Sequence, residues 1–104
     1  MNRIFTLTVN PVVDKNTTIS SLVPNKKLRC SEPVYYSGGG GVNVSRAINN
    51  LKGNSIAIHF SGGRIGAHLQ ELLSKEGIEH HEIDLVGTTR ENLSVFDTAT
   101  DLQY

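Results

Sequence analysis

Four successive glycines, Gly38 to Gly41, run directly into Val42-Asn43-Val44-Ser45-Arg46. A residue without Cβ lets backbone N–H groups approach a ligand closely and lets φ turn positive. A helix that starts there aims its unpaired N–H groups and the positive end of its dipole at the same point. Such a place suits an anion or a dense cluster of hydroxyls. Asn43 falls in the first turn, and its amide offers a donor and an acceptor together, which suits hydroxyls. Asp14 follows the apolar Ile4–Val9 stretch, and a carboxylate accepts two hydrogen bonds at once, enough to grip vicinal hydroxyls. Lys27 adds a mobile point charge able to bridge phosphates. Arg90 adds a planar fork suited to a terminal phosphate. Each of these residues has a plainer alternative. A Gly run also serves a strand-to-helix turn, Asp14 a turn, Asn43 a helix start, and Lys27 and Arg90 a solvated surface.

The common nucleotide fingerprints do not fit this loop. Read from Gly38, the pattern G-x-G-x-x-G requires Gly at position 43, where Asn43 stands. The P-loop pattern G-x-x-x-x-G-K-[ST] occurs nowhere in the chain. His59, His68, His80 and His81 show no metal-ligand spacing with Cys30 or with a carboxylate cluster. They read as structural or surface residues, and no metal site is expected. Asn10, Arg29 and Arg46 could touch the site but are given no role in it.

Periodicity places these groups on elements. Val44, Ala47, Ile48 and Leu51 recur at i, i+3, i+4 and i+7 and predict an amphipathic helix over 44–51, with Gly53 as its C-cap. Ile65, Leu69, Leu72 and Leu73 predict a second helix closed by Gly77. Ile4 to Val9 predict a buried strand, with Ile4, Phe5, Leu7 and Val9 as its apolar bulk. Ser55 to Phe60 predict another, with Ile56, Ile58 and Phe60 alternating. Ile78–Leu85 and Asn92–Asp97 are further strand candidates, and Gln103-Tyr104 begins one more. Strands alternating with helices argue for an α/β fold with a parallel sheet. Residues 12–37 and the segment from about 88 to 104 have β texture that lies off that alternation.

With 104 residues, ten Lys+Arg against ten Asp+Glu and zero net charge, no broad field attracts nucleic acid or an acidic membrane. No apolar run reaches the roughly 20 residues that span a bilayer. The single Cys30 offers no disulfide framework and is ordinary in a reducing cytoplasm, so the expected location is cytoplasmic.

Together the motifs resemble the phosphofructokinase B family of ribokinase-like carbohydrate kinases. The stretches that carry the resemblance are Thr6-Leu-Thr-Val-Asn-Pro-Val-Val-Asp14, Lys27-Leu-Arg-Cys30, Gly38 through Ile48, Ser61-Gly-Gly63, Gly66, Glu76-Gly-Ile78 and Thr89-Arg-Glu-Asn92. They follow the family's order and spacing over essentially the whole chain. Members that act on fructose 1-phosphate or tagatose 6-phosphate usually carry Lys where Gly40 stands. The all-Gly loop most resembles members that phosphorylate fructose 6-phosphate with ATP.

The resemblance implies a partial three-layer βαβα core, from residues 1–11 and 38–87, and a β-sheet lid, from about 12–37 and 88–104. It implies sugar binding by Asp14, Gly38, Gly39, Gly40 and Asn43 and charge from Lys27 and Arg90, with ATP and Mg²⁺ required by the parent enzyme of glycolysis. It implies a homodimer through paired lids, with Arg90 of one copy reaching the Gly run of the other. An apolar β face containing Val34, Tyr35, Leu93, Val95 and Phe96 would supply the contact. The family's second signature, a Gly-Ala-Gly-Asp-type motif with the catalytic base, has no match in 1–104. The chain therefore resembles the opening part of such a kinase, without a catalytic residue of its own and inactive alone. A non-catalytic lid module that pairs with a complete kinase, or with itself, is the alternative of another class.

Overall fold

The computed structural model describes residues 3–104; the first two residues of the expected core lie outside the described residues. The chain runs β1 (Ile4–Thr8), β2 (Val12–Ile19), β3 (Val34–Gly38), α1 (Gly40–Asn50), β4 (Ser55–Ser61), α2 (Gly63–Lys75), β5 (His80–Asp84), β6 (Arg90–Asp97) and β7 (Leu102–Gln103). These strands form two sheets. One is parallel, in the order β1-β4-β5, and the other is mixed, in the order β3-β2-β6-β7. The radius of gyration of 16.1 Å exceeds the about 13 Å usual for a chain of this length, so the sheets lie side by side rather than stacked.

The parallel sheet and its two helices are the α/β part. Leu69 and Leu73 of α2 are fully buried and meet Val13, Val42, Ala57 and Ile78, with Ile65 and Leu72 packed alongside. The helical period of 65–73 is thus realised. Both helices end in the same motif. After α2, Gly77 takes φ +73°, its N–H reaches Ser74 O, and the N–H of Ile78 reaches Leu73 O. After α1, Lys52 N–H reaches Asn49 O and Gly53 N–H reaches Ile48 O. Both follow the Schellman pattern. The expected cap at Gly53 is corrected: the left-handed position is Lys52, at φ +61°, and Gly53 follows it because a Cβ there would meet Ile48.

Two burial expectations are corrected. Ile4, Phe5 and Leu7 of β1 and Val9 just after it are 52–65% exposed, whereas Thr6 and Thr8 are buried. The side of β1 under α1 is the even one, because Thr6 Oγ1 bonds Ser45 Oγ at 2.7 Å and Thr8 Oγ1 accepts from Val42 N–H at 3.0 Å. In α1, Val44 and Leu51 face outward, Leu51 at 84% exposure, while Val42 and Ser45 carry the packing. The hydroxyl bonds decide which face docks, not the apolar stripe.

The mixed sheet is built from distant pieces. β2 pairs antiparallel with β3 and parallel with β6, in the register Val12↔Arg90 through Ile19↔Asp97. The second glycine turn is tied to the residue before β6. Thr89 Oγ1 accepts from Gly62 N–H, Thr89 N–H donates to Gly62 O, and a Cβ on Gly63 would strike Thr88. The expected single apolar face is corrected as well. Lys15 pairs with both Tyr35 and Leu93, and Thr17 with Val95, so Tyr35, Leu93 and Val95 share one face. Asn16 pairs with Val34, and Thr18 with Phe96, so Val34 and Phe96 stand on the other. The period of two separates them.

Candidate functional site

The helix α1 begins inside the Gly run. Gly39 is its N-cap at φ 129° and ψ 150°, a conformation open essentially to Gly alone. It offers no side-chain cap, so Thr8 of β1 supplies the hydroxyl that the Val42 N–H needs. A Cβ on Gly39 would lie 2.6 Å from Thr8 Cγ2, and one on Gly41 would lie 2.5 Å from Thr8 Oγ1. These two glycines let the helix start press against the strand. Gly40 differs, because a Cβ there would meet nothing within 4 Å. The exposed first turn at Gly40 is the place where a ligand can approach the amides.

Gly38 ends β3 beside Asp14. A Cβ on Gly38 would sit 2.9 Å from Asp14 Oδ2, so the missing side chain makes room for the carboxylate. Register brings the rest of the set onto the same face. Asp14 lies opposite Tyr36 on one side and Asn92 on the other, and Val12 lies between Gly38 and Arg90. Two strand spacings put the Arg90 and Gly38 backbones about 10 Å apart. Asp14, Gly38, Asn92 and Arg90 therefore share one face next to the start of α1. The beginning of β6 at Arg90, with Asn92 beside Asp14, was legible only as a motif in the sequence; its place here comes from the parallel pairing of β2 with β6.

Asn43 is exposed in the first turn of α1 and is held by Arg46, whose Nη1 donates to Asn43 Oδ1 at 2.7 Å. The Arg46 guanidinium also clasps Glu76 at the end of α2 with both edges, Nε to Oε2 at 2.6 Å and Nη2 to Oε1 at 2.9 Å. Its Nη2 further donates to the carbonyl and the hydroxyl of Ser37. Ser37, 3% exposed, donates its own hydroxyl to Glu76 Oε1 at 2.7 Å. The bond from Arg46, aided by that from Ser37, holds the Glu76 carboxyl below its ordinary value, and Glu76 in turn raises Arg46. Sequence reading gave Arg46 no role and missed Ser37 and Glu76. The signal available was the i, i+3 spacing of Asn43 and Arg46.

Lys27 is exposed in the 20–33 loop and makes no hydrogen bond or ion pair with the other candidates among the described residues. That loop is anchored where Ser31 bonds Thr17 and Thr18, about 13 Å along β2 from Asp14 at strand rise. The structure thus brings Asp14, Gly38, Gly39, Gly40, Asn43 and Arg90 to one end of the two sheets, and Lys27 lies in the loop that follows β2. The histidines hold structure. His59 is buried with its Nε2 3.1 Å from His80 Nδ1, and His80 Nε2 lies 3.1 Å from Ser74 Oγ. Burial lowers both rings below the ordinary histidine value, and the neighbouring His80 lowers His59 further. Among the described residues no group of three His, Cys, Asp or Glu side chains could hold a metal ion.

The chain is similar to several known proteins over nearly all of its length. The chain is 43% identical to the ATP-dependent 6-phosphofructokinase isozyme 2 of Escherichia coli over all its 104 residues, which are 34% of that protein. It is 33% identical to the 1-phosphofructokinase of Bacillus subtilis over 88% of this chain and 30% of that one. The crystal structure of the Escherichia coli phosphofructokinase-2 in complex with fructose-6-phosphate superposes with a TM-score of 0.89, covering 100% of this chain and 34% of that one. The same enzyme in its tetrameric inhibited form superposes at 0.88. The chain spans about a third of the length of these relatives. The family described as pfkB family carbohydrate kinase matches residues 5–103, and the chain belongs to that family.

Proposed function

We propose that these residues form the sugar-holding part of an ATP-dependent kinase whose parent chain transfers the γ-phosphoryl group to the C1 hydroxyl of fructose 6-phosphate. The observation that carries this reading is the seating of the Asp14 carboxylate against Gly38 at the mouth of α1. Asp14 accepts from sugar hydroxyls, the amides of the Gly38–Gly40 run close on the sugar, and Asn43 adds a directed amide. Arg90, and Lys27 where the 20–33 loop closes, supply positive charge for the phosphates. In phosphoryl transfer most of the catalysis is positioning and charge stabilisation, and this segment supplies the positioning.

ATP and Mg²⁺ do not fit the residues at hand. No lysine follows the Gly run, and no three ligating side chains meet among the described residues. The nucleotide, its metal and the base belong to the remaining two thirds of the parent. Self-association through the mixed sheet accompanies this reading. Val34 and Tyr36 are exposed at 52% and 53% on the same face of the sheet as Asp14 and Arg90. A homodimer pairing these sheets would bring Arg90 of one copy toward the Gly run of the other.

The test is a substrate panel on the parent kinase with Asp14→Ala and Asn43→Ala. Asp14→Ala is expected to raise KM for fructose 6-phosphate by at least about tenfold, the loss of a charge-assisted hydrogen bond, and Asn43→Ala by up to about tenfold, the loss of a neutral one. Unchanged kinetics in both refute the sugar site. Preference for fructose 1-phosphate would move the parent toward the Bacillus subtilis relative, and preference for tagatose 6-phosphate would replace the fructose 6-phosphate reading. Turnover by purified 1–104 would refute the missing base. Sedimentation of a stable monomer at high concentration would refute the paired sheets.

A further inference from the structure

Arg46 bonds both ends of the glycine run. It reaches Ser37, the residue before Gly38, and Asn43, the second residue after Gly41, while Glu76 anchors it to the end of α2. Glycine has the most backbone freedom to lose, so a run of four is costly to order around a ligand unless its ends are already fixed. The same guanidinium also decides how Asn43 faces. Arginine has donors only, so the Asn43 atom against Nη1 is the carbonyl oxygen. The Asn43 NH₂ group is left to point elsewhere as a donor, and the ligand atom it recognises is an oxygen lone pair.

We propose that Arg46 is a positioning residue of the site: it holds the Gly38–Gly41 run closed at both ends and turns Asn43 to donate to a ligand oxygen. The half concerning Asn43 rests on the sugar reading above; the half concerning the run does not. The alternative is that Arg46 and Glu76 merely tie α1 to α2. A partly exposed ion pair of that kind contributes little to stability and would not act through Asn43.

The experiment compares Arg46→Met, Arg46→Lys, Asn43→Ala and the double variant Arg46→Met/Asn43→Ala in the parent kinase. Arg46→Met is expected to raise KM for fructose 6-phosphate about tenfold with kcat and the KM for ATP nearly unchanged, and to add less than that once Asn43 is Ala, because part of its effect runs through Asn43 and part through the Gly run. Arg46→Lys keeps the charge but cannot fork, and is expected to behave like Arg46→Met. Amide exchange over 38–43 is expected to quicken about tenfold in both variants while β4 stays protected. Additive effects of Arg46→Met and Asn43→Ala on KM overturn the proposal, and so does exchange that does not change. If Asn43→Ala alone leaves KM unchanged, the sugar reading of Asn43 fails, and exchange over 38–43 decides the clamp by itself. Should Arg46→Met not fold, Glu76→Gln removes the anchor and carries the same two measurements.

Discussion

The two faces of the parallel sheet are built in opposite ways. The covered face, under α1 and α2, is polar in much of its area: Thr6, Thr8, His59 and Ser61 are all buried there with Ala57, and Ser45 of α1 meets Thr6. The uncovered face is apolar, with Phe5 opposite Ile56, Leu7 opposite Ile58 and Phe60 opposite Ile83. A sheet that hides hydroxyls and shows phenylalanine contradicts the usual alternation of apolar-in and polar-out. The contrast teaches that the covered face is held by directed bonds, and that the open face is made for a further layer. Two layers of the three-layer fold are present in these residues. The open patch is the kind of surface that marks a contact site.

The largest test of the contrast sets the two faces against each other. Leu69→Ala or Leu73→Ala, at fully buried positions of α2, is expected to cost about 2–5 kcal/mol in denaturant unfolding. Leu7→Ser on the open face is expected to change stability by no more than about 0.5 kcal/mol and to improve solubility. A cost at Leu7 comparable to that at Leu69 would mean that the open face is packed in solution, and the comparison breaks.

Next in size is the polar bond under α1. Thr8→Val keeps the shape and removes the acceptor of the buried Val42 N–H, and it is expected to cost about 1–3 kcal/mol by chemical denaturation. Thr8→Ser keeps the hydroxyl and should lose much less. Equal losses would show that the methyl group, not the bond, holds the face.

The histidines sharpen the same point through pH. His59 and His80 are both depressed below the ordinary value of 6.5, with burial the first cause for each. Below 6.5 the unfolded chain takes up protons that the folded chain refuses. Their contribution is therefore intact above 6.5 and is lost as pH falls from 6.5 toward the depressed folded values. Thermal melts between pH 8 and pH 5 should show Tm declining below about 6.5, with a shallower slope in His80→Gln. Glu76 acts in a lower window: its depressed carboxyl supports the fold above its ordinary value of 4.5, and that support goes as pH falls through the folded value. A Tm flat to pH 5 would remove the histidines from the account of the covered face.

The smallest effect tests the two helix ends. Gly77 and Lys52 occupy equivalent left-handed positions in the same motif. Lys52→Gly is expected to stabilise the chain by about 1 kcal/mol, read as a small rise in Tm, because a Cβ is strained there. No gain would mean that the Lys52 side chain offsets its own strain.

Much of the architecture was legible in the sequence. The second helix announced itself through Ile65, Leu69, Leu72 and Leu73 and its Gly77 stop. The first announced its place but not its orientation. Val44, Ala47 and Leu51 form the stronger apolar stripe, yet Val42 and Ser45 pack, because Thr6 and Thr8 bond to that side. The same cause defeated the reading of β1, where alternation told that one face is apolar but not which face α1 and α2 would cover. Asp14, Gly38 and Asn43 were legible as residue types suited to hydroxyls. The Arg46–Glu76–Ser37 network was not, because its members are separated by 9 to 39 residues and meet only after α2 has docked.

The sequence by itself determined the local states: which segments coil, which extend, where glycine must turn, and which side chains carry hydrogen-bonding chemistry. These follow from Cβ sterics, periodicity and the donor and acceptor inventory of each residue, all of them properties of short stretches. Only the tertiary structure decided that β2 pairs in parallel with β6 and that Arg90 and Asn92 therefore stand beside Asp14. Those facts depend on contacts between residues more than seventy positions apart, and no short-range rule encodes such a register.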